Sequence, residues 1–278
     1  MRIQETLQKG SQELKRCGIE NPGLDARYLL EWILECDHSY VLLHPEQELS
    51  AGQEHRYNEA IEKRAQHFPL QYIIGEQEFM GYNFRVDENV LIPRQDTEIL
   101  VEEAMRYLHD GMRILDLCTG SGCILLSLLH YSNDCEGVGV DISQEALQVA
   151  AQNAELLGIR ADFLKSDLYE KVTGKFDLLV SNPPYIERAI IPTLMEEVRE
   201  YDPYIALDGG EDGLDFYRRI IGGAQDYLKR GGQILMEIGS GQAKAVSELL
   251  REAGFKEIDV CRDFAGLDRV VSGRLPIL

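Results

Sequence analysis

The chain has no Cys-x-x-Cys pair and no Cys and His at the spacings that hold zinc; its cysteines at 17, 36, 118, 123, 135 and 261 are scattered. Neither a zinc site nor a disulfide framework is suggested, and the thiols read as buried side chains. No run approaches the ~18 uninterrupted apolar residues of a membrane span. The start, Met1-Arg2-Ile3-Gln4-Glu5, has no apolar signal core, so a cytoplasmic protein away from membranes is expected. Positive charge is scarce: 28 Lys and Arg stand against 48 Asp and Glu, for a net charge of −20. Proteins that hold nucleic acid neutralise phosphates with Lys and Arg. This balance speaks against a DNA or structured RNA substrate and favours a protein or a small molecule.

What is present is ordinary globular material, 44% apolar and 27% charged over 278 residues, enough for one large domain and a small one. Residues 1–68 place Ile3, Leu7 and Leu14, then Leu29, Leu30, Ile33 and Leu34, at helical spacing, broken by Asn21-Pro22-Gly23 and His44-Pro45. They predict a small bundle of several helices. From Pro69 to Gln95 the texture predicts a β-hairpin connector, with Gln71–Gly75 and Tyr82–Val86 as its arms and Leu91-Ile92-Pro93 as its exit. Asp96 or Thr97 is then expected to cap a helix running to about Leu108.

Over residues 96–278 strand and helix alternate, as in an α/β domain built on a largely parallel sheet. The expected strands are 113–117, 137–140, 162–165, 176–180, 233–237, 257–261 and 269–272; the expected helices are 123–131, 144–157 capped by Ser143, 214–228 and 243–253. Near-continuous apolar strands such as Leu178-Leu179-Val180 suit a sheet covered on both faces. The link from Arg262 to Asp268 is too short for a crossover helix, so the last two strands should pair antiparallel.

Two segments carry chemistry. The first is Leu115-Asp116-Leu117-Cys118-Thr119-Gly120-Ser121-Gly122, a strand running into a glycine loop, followed by Asp141 at the end of Val138-Gly139-Val140. Gly120 and Gly122 permit a tight turn and close backbone approach. Asp141 suits two ribose hydroxyls, or else caps the next helix. Asp167 sits after the third strand, where it can reach an adenine amino group. Leu125 occupies the third glycine position of a dinucleotide fingerprint, and there is no Gly-Lys-Ser/Thr ending, so S-adenosylmethionine is favoured over NAD or ATP.

The second segment is Asn182-Pro183-Pro184-Tyr185, directly after the apolar run Phe176–Ser181. It points to methyl transfer onto a planar nitrogen, whose delocalised lone pair attacks poorly. The Asn182 side-chain oxygen and the Pro183 carbonyl are two acceptors that can each take one N–H of such a group. The prolines fix φ, and Tyr185 offers a flat face for stacking.

These residues resemble the HemK/PrmC family of S-adenosylmethionine-dependent protein-glutamine N5-methyltransferases, which modify the Gly-Gly-Gln motif of peptide-chain release factors. The likeness covers nearly the whole chain. It includes Asn21-Pro22 with Leu24-Asp25-Ala26-Arg27, the segment 69–75, Leu91-Ile92-Pro93-Arg94 with Asp96-Thr97-Glu98, the glycine loop, the tetrad, and Cys261-Arg262-Asp263 with Arg269-Val270. It implies a class I methyltransferase fold: a seven-stranded, mostly parallel sheet whose last strand is antiparallel, with the helical bundle and hairpin in front. It implies cofactor contacts at Thr119, Gly120, Ser121, Gly122, Asp141 and Asn182, with Leu168 where relatives often have an aromatic, S-adenosylhomocysteine as product and no metal; Cys118, within the loop, and Asp167, after the third strand, are expected to join these contacts. Asn182, Pro183, Pro184 and Tyr185 would receive the glutamine, with catalysis resting on Asn182, Pro183 and Tyr185, and class 1 release factors as partners.

Arg94 either helps order cofactor or docked substrate, or is an ion-paired surface residue. Two positions depart from the family pattern: Cys118 stands where Gly is common, and Gln95 where Pro usually follows Ile-Pro-Arg. The rival reading is a nucleic-acid amino-methyltransferase acting on DNA adenine N6 or rRNA guanine N2, which would use the same tetrad on an unpaired base; a non-catalytic cofactor-binding module is a further alternative. The chain's own Gly231-Gly232-Gln233 reads as a turn into a strand.

Overall fold

The computed structural model describes residues 1–277. In chain order the elements are α1 (Ile3–Arg16), α2 (Pro22–Leu34), α3 (His38–Leu43), α4 (Ala51–Ala65), α5 (Leu70–Ile74), β1 (Glu76–Phe79), β2 (Tyr82–Arg85), α6 (Gln95–Met105), β3 (Arg113–Leu117), α7 (Cys123–His130), β4 (Glu136–Asp141), α8 (Gln144–Leu157), β5 (Asp162–Lys165), β6 (Phe176–Ser181), a 3-10 turn (Ile191–Thr193), α9 (Glu196–Tyr201), α10 (Tyr204–Leu207), α11 (Asp215–Tyr227), β7 (Leu228–Glu237), α12 (Ala243–Glu252), β8 (Lys256–Arg262) and β9 (Asp268–Arg274). They form two compact units: residues 1–76 with 195–201, and residues 77–194 with 202–278.

The first unit is the helical bundle the periodicity predicts. Leu14, Leu29, Leu30, Tyr57 and Ile61 make its core. Helix α1 approaches α4 so closely that a Cβ on Gly10 would lie 2.3 Å from the Tyr57 hydroxyl oxygen, so only glycine fits. The Tyr57 hydroxyl donates to the Ala26 carbonyl at 3.1 Å, which satisfies its one buried polar group. Helix α4 starts with a reciprocal cap: Ser50 Oγ accepts from Gln53 N, and Gln53 Oε1 accepts from Ser50 N. Arg64 is almost fully buried and holds both Asp25 and Glu197.

The predicted first arm of the hairpin is corrected here. Residues 71–74 lie in α5, entered from Pro69 and stopped by Gly75 in the left-handed region, and Leu70, Ile73 and Ile74 pack on the bundle core. The β-branched pair suggested a strand, but burial against the bundle decided for a helix. The hairpin is β1 and β2, joined by Met80-Gly81 with φ of +51° and +78°. Positive φ at both central residues is what a two-residue hairpin turn requires.

In the second unit the strands run in the order β5-β4-β3-β6-β7-β9-β8. Neighbours from β5 to β7 are parallel, and β9 is antiparallel to both β7 and β8. This is the class I methyltransferase sheet, with its last strand reversed.

Alternate residues feed two cores. Leu115, Leu179, Ile234 and Met236 face α11 and α12, while Ile114, Leu178, Val180 and Leu235 face α6, α7 and the hairpin. That two-sided burial is why the strands read as continuous apolar runs. Helix α6 begins at Gln95 with Arg94 as its cap residue, two or three residues earlier than expected, which frees the Thr97 side chain for another use. The short turn and helices between 191 and 207 were not anticipated, being too brief for a periodic signal. Gln233 lies within β7, paired with Leu178 and Arg274, rather than at its start.

Candidate active site

Strands β5, β4, β3 and β6 are adjacent and parallel, so their carboxyl ends open on one side of the sheet, and the order reverses direction at β3. Such a crevice is where open α/β sheets bind ligands. One cleft gathers the predicted residues from four strand ends: Cys118, Thr119, Gly120 and Ser121 after β3, Asp141 at the end of β4, Asp167 and Leu168 after β5, and Asn182 and Pro184 after β6. Arg94 and Thr97 close it from α6, and Pro203, Ile205 and Phe216 form an apolar wall. Gly122, Pro183 and Tyr185 do not line it.

Local bonds fix the glycine loop. Thr119 N donates to the Val140 carbonyl, Gly122 N to the Thr119 carbonyl, and Thr119 Oγ1 to Asp116 Oδ2 at 2.6 Å. The Gly120 amide donates to Asp141 Oδ2 at 2.9 Å, while Asp141 Oδ1 accepts from Ser143 N at 2.9 Å. Asp141 therefore ties two strand ends together, and each of its oxygens retains acceptor capacity. The cap of α8 is Ser143, whose Oγ accepts from Ala146 N.

A Cβ on Gly120 would meet nothing within 4 Å, so the loop backbone is bare toward the cleft; one on Gly122 would lie 3.2 Å from the Ala150 Cβ, so that glycine serves the packing of α8. Asn153, fully buried in α8, links the hairpin to the loop by accepting from Arg85 N and donating to the Ser121 carbonyl.

Cys118 has φ of +61° and Leu168 φ of +47°. Both are non-glycine residues in the left-handed region at one crevice, a strain that tends to collect at functional sites. The Cys118 backbone takes the conformation a glycine would hold freely, so this departure from the family pattern keeps the loop's shape. Gln95 occupies the first position of α6, where proline is well tolerated, and that departure is equally neutral.

Asp167 pairs with Arg219 at 2.8 Å. Arg94 pairs with Asp202. Asn182 is held through its nitrogen: Nδ2 donates to Thr97 Oγ1 at 3.2 Å, which leaves Oδ1 as an acceptor turned away from Thr97. Ser181 Oγ donates to the Leu117 carbonyl and locks β6 to β3 beside it.

The Tyr185 ring packs on the core, and its hydroxyl donates to Glu237 Oε1 at 3.2 Å, so its face is not presented to this cleft. Burial raises the Tyr185 pKa. Glu237, at the end of β7, is 2% exposed, and its Oε2 has no hydrogen-bond partner. Burial pushes its pKa up to about 7, against the hydrogen bond from Tyr185. Asp116, at 0% exposure, is likewise raised to about 7 by burial.

Thr97, Ser166 and Arg219 are polar residues of the cleft lining that sequence reasoning left out of the site, and Asp116 and Glu237 lie buried outside that lining. Two ionisable groups inside otherwise apolar strands, Ile-Leu-Asp-Leu and Ile-Leu-Met-Glu, were the available signal.

Residues 5–75 match the PrmC N-terminal domain and residues 95–198 the methyltransferase small domain. A release factor glutamine methyltransferase of Clostridium acetobutylicum is 43% identical over 98% of each chain. The chain belongs to the release factor glutamine methyltransferase family. Another member, the release factor glutamine methyltransferase of Geobacter sulfurreducens, is 42% identical, covering 93% of this chain and 91% of its own. Among solved structures, a methyltransferase from Pyrococcus furiosus aligns with a TM-score of 0.56 at 16% identity, over 82% of this chain and 100% of that one, which shows the shared fold. In this chain the glycine loop follows β3 and the Asn-Pro-Pro-Tyr tetrad follows β6, and the two strands are neighbours in the sheet.

Proposed function

We propose that the chain methylates the side-chain amide nitrogen, N5, of the glutamine in the Gly-Gly-Gln motif of class 1 peptide-chain release factors, with S-adenosylmethionine as methyl donor. One observation carries this reading: Asn182 is anchored by its nitrogen, which leaves its Oδ1 as an acceptor on a residue that lines the same cleft as the glycine loop and Asp141.

The cleft's donor set fits the cofactor. Asp141 has acceptor capacity for a ribose diol, the bare Gly120 backbone admits close approach, and Leu168 and Phe216 supply apolar walls. Cys118, Thr119, Ser121, Gly122 and Asp167 complete the proposed binding loop and strand ends. When bound, S-adenosylmethionine supplies an electrophilic methyl group on a sulfonium.

The chain's own part is to hold the acceptor nitrogen. Asn182 Oδ1 and the Pro183 carbonyl each accept one N–H, which restrains the amide and favours a lone pair directed out of conjugation. Pro184 fixes the backbone there. Tyr185, with its hydroxyl anchored on Glu237, steadies the end of the tetrad. The helical unit is proposed to recognise the rest of the release factor, since one glutamine offers few specificity contacts. Among the described residues no helix is long and apolar enough to cross a membrane; a cytoplasmic setting, where release factors act, accords with this reading.

The test is mass spectrometry of a purified class 1 release factor incubated with the protein and S-adenosylmethionine, with DNA and rRNA in parallel. A gain of one methyl on the Gly-Gly-Gln glutamine is expected. Methyl incorporation confined to nucleic acid would overturn the reading.

A further inference from the structure

Gln242 stands at the cap position that opens α12, yet its side chain makes no capping bond to that helix. Glutamine is not among the favoured caps, so the residue sits there against local preference. Its carboxamide turns instead toward the tetrad: Nε2 donates to the Tyr185 carbonyl at 2.9 Å and to the Gly213 carbonyl at 3.1 Å. Its Oε1 accepts from Gly239 N at 2.9 Å. Both halves of one amide are in use, and the tetrad, the loop before α11 and the turn after β7 meet on it.

The fit around this amide excludes side chains. A Cβ on Gly213 would lie 2.4 Å from the Tyr185 carbonyl oxygen and 2.7 Å from Gln242 Nε2, and one on Gly209 would lie 2.7 Å from the Tyr185 Cα. Just beyond the tetrad, Ile186 N donates to the Leu207 carbonyl, Gly209 N to the Ile186 carbonyl and Arg188 N to the Gly210 carbonyl, so backbone lies directly on backbone.

The tetrad depends on outside anchors for a covalent reason. Pro183 and Pro184 have no N–H, so half of the motif cannot be tied down by its own amides. Upstream, Ser181 pairs with Leu117 and Met236 in the sheet. Downstream, Gln242 holds the Tyr185 carbonyl. Between these anchors the proline rings lock φ at two successive positions, which leaves few soft torsions to set.

We propose that Gln242 is a positioning residue for methyl transfer: by holding the Tyr185 carbonyl it sets the course of the tetrad backbone, and with it the directions of the Pro183 carbonyl and the Asn182 side chain. Gln242 does not line the cleft, so it acts through Tyr185 rather than on substrate or cofactor. This inference rests on the proposed role of the tetrad, and the two fail separately.

The experiment measures kcat, KM for a Gly-Gly-Gln peptide, cofactor affinity by calorimetry and thermal unfolding in the wild type, Gln242→Met, Gln242→Glu, Gln242→Asn, Val246→Ala and Asn182→Ala. Gln242→Met keeps the length of the side chain and loses its bonds to Tyr185, Gly213 and Gly239. Gln242→Glu keeps the acceptor toward Gly239 and sets an oxygen against the Tyr185 carbonyl. Both should lose kcat by about 10²-fold, because a displaced tetrad no longer holds the amide in line. Cofactor affinity should stay within about twofold and peptide KM within about threefold. Gln242→Asn shortens the reach by one carbon and should lose kcat about tenfold. Val246, fully buried in α12, donates its backbone N–H to the Gln242 carbonyl. Val246→Ala lowers stability in the same helix without touching the tetrad, and should keep kcat within about twofold.

A normal kcat in any folded Gln242 variant would overturn the proposal; where Gln242→Met or Gln242→Glu fails to fold, Gln242→Asn, the smallest change, decides. A kcat loss in Val246→Ala as large as in the Gln242 variants would overturn it too, by making the effect one of stability alone. Activity surviving in Asn182→Ala would instead bring down the role of the tetrad itself.

Discussion

Arg94 Nη2 donates to Asp202 Oδ2 at 2.6 Å, joining the start of α6 to a carboxylate whose side chain is 1% exposed. The guanidinium is itself 42% exposed, so it stands at the lip of the cleft with its partner beneath. Of the two readings the sequence left open, the ion pair is present, and it braces the segment that carries Pro203, Ile205 and Ala206 into the cleft wall. Arg94→Ala withdraws the guanidinium from a buried carboxylate, a change worth about 1–3 kcal/mol. Arg94→Ala is expected to lower the unfolding temperature and to raise KM for peptide several-fold, with kcat changed less than tenfold. A variant with unaltered KM and stability would show that the pair is ornamental.

Asn182→Ala removes one of the two acceptors assigned to the substrate amide. Loss of a single positioned polar group of this kind typically costs 10²–10³ in rate. Because Asn182 is only half buried and is bonded through one nitrogen, the fold should survive, with thermal unfolding close to that of the wild type. Near-normal turnover in a well-folded Asn182→Ala protein would remove the central assignment.

The sheet and the cofactor loop were legible because their signals are local. An apolar run followed by Gly-x-Gly and then by an acid at the next strand end needs no distant information. The tetrad was legible for the same reason, since proline fixes backbone direction within the motif itself. Thr97 and Glu237 were not, because their hydrogen bonds, to Asn182 and Tyr185, reach across 85 and 52 residues of chain, and an isolated Thr in a helix reads as a cap. The segment now in α5, Leu70–Ile74, was misread for a related reason: five residues carry too little periodicity to separate strand from helix, and packing on the bundle decided it.

Cys118 carries a prediction about strain. An L-residue in the left-handed region costs roughly 1–2 kcal/mol, and the thiol recovers part of this by packing on the core below the loop. Cys118→Gly should therefore melt near the wild type or above it. Cys118→Val adds branching at the Cβ in the same disfavoured backbone and should melt several degrees lower. A Val variant as stable as the wild type would contradict the left-handed geometry.

In the helical unit, Arg64 bridges Asp25 and Glu197 with only 5% of its side chain exposed. It also donates to the Phe68 carbonyl at 3.2 Å, so three groups depend on one guanidinium. Replacing a buried partner in such an arrangement costs about 3–5 kcal/mol, because it leaves buried charge uncompensated. Arg64→Met should unfold this unit at markedly lower temperature. Asp25→Asn combined with Arg64→Met should recover part of the loss, since the orphaned charge is then gone. Additive losses in the double variant would show that the Asp25 contact carries little of the energy.

Asp116 and Glu237 give the protein a pH dependence of defined sign. Burial raises both to about 7 in the fold, from ordinary values of 3.8 and 4.5. Between those ordinary values and 7 the native state binds more protons than the unfolded chain, so stability falls as pH rises across that window. The contribution is fully present below about pH 4 and is lost as pH climbs through 7. Asp263, which its hydrogen bond with Arg269 holds below the usual range, acts in the opposite sense, and only toward strong acid. Self-repulsion at a net charge of −20 also favours lower pH, so the wild-type slope alone cannot assign the effect. The decisive comparison is Asp116→Asn and Glu237→Gln, each of which leaves net charge nearly intact but titrates no longer. Each should flatten the decline in unfolding temperature between pH 5 and pH 8, and the double variant should flatten it most. A double variant whose stability declines as steeply as the wild type would show that neither carboxyl is held protonated by its surroundings.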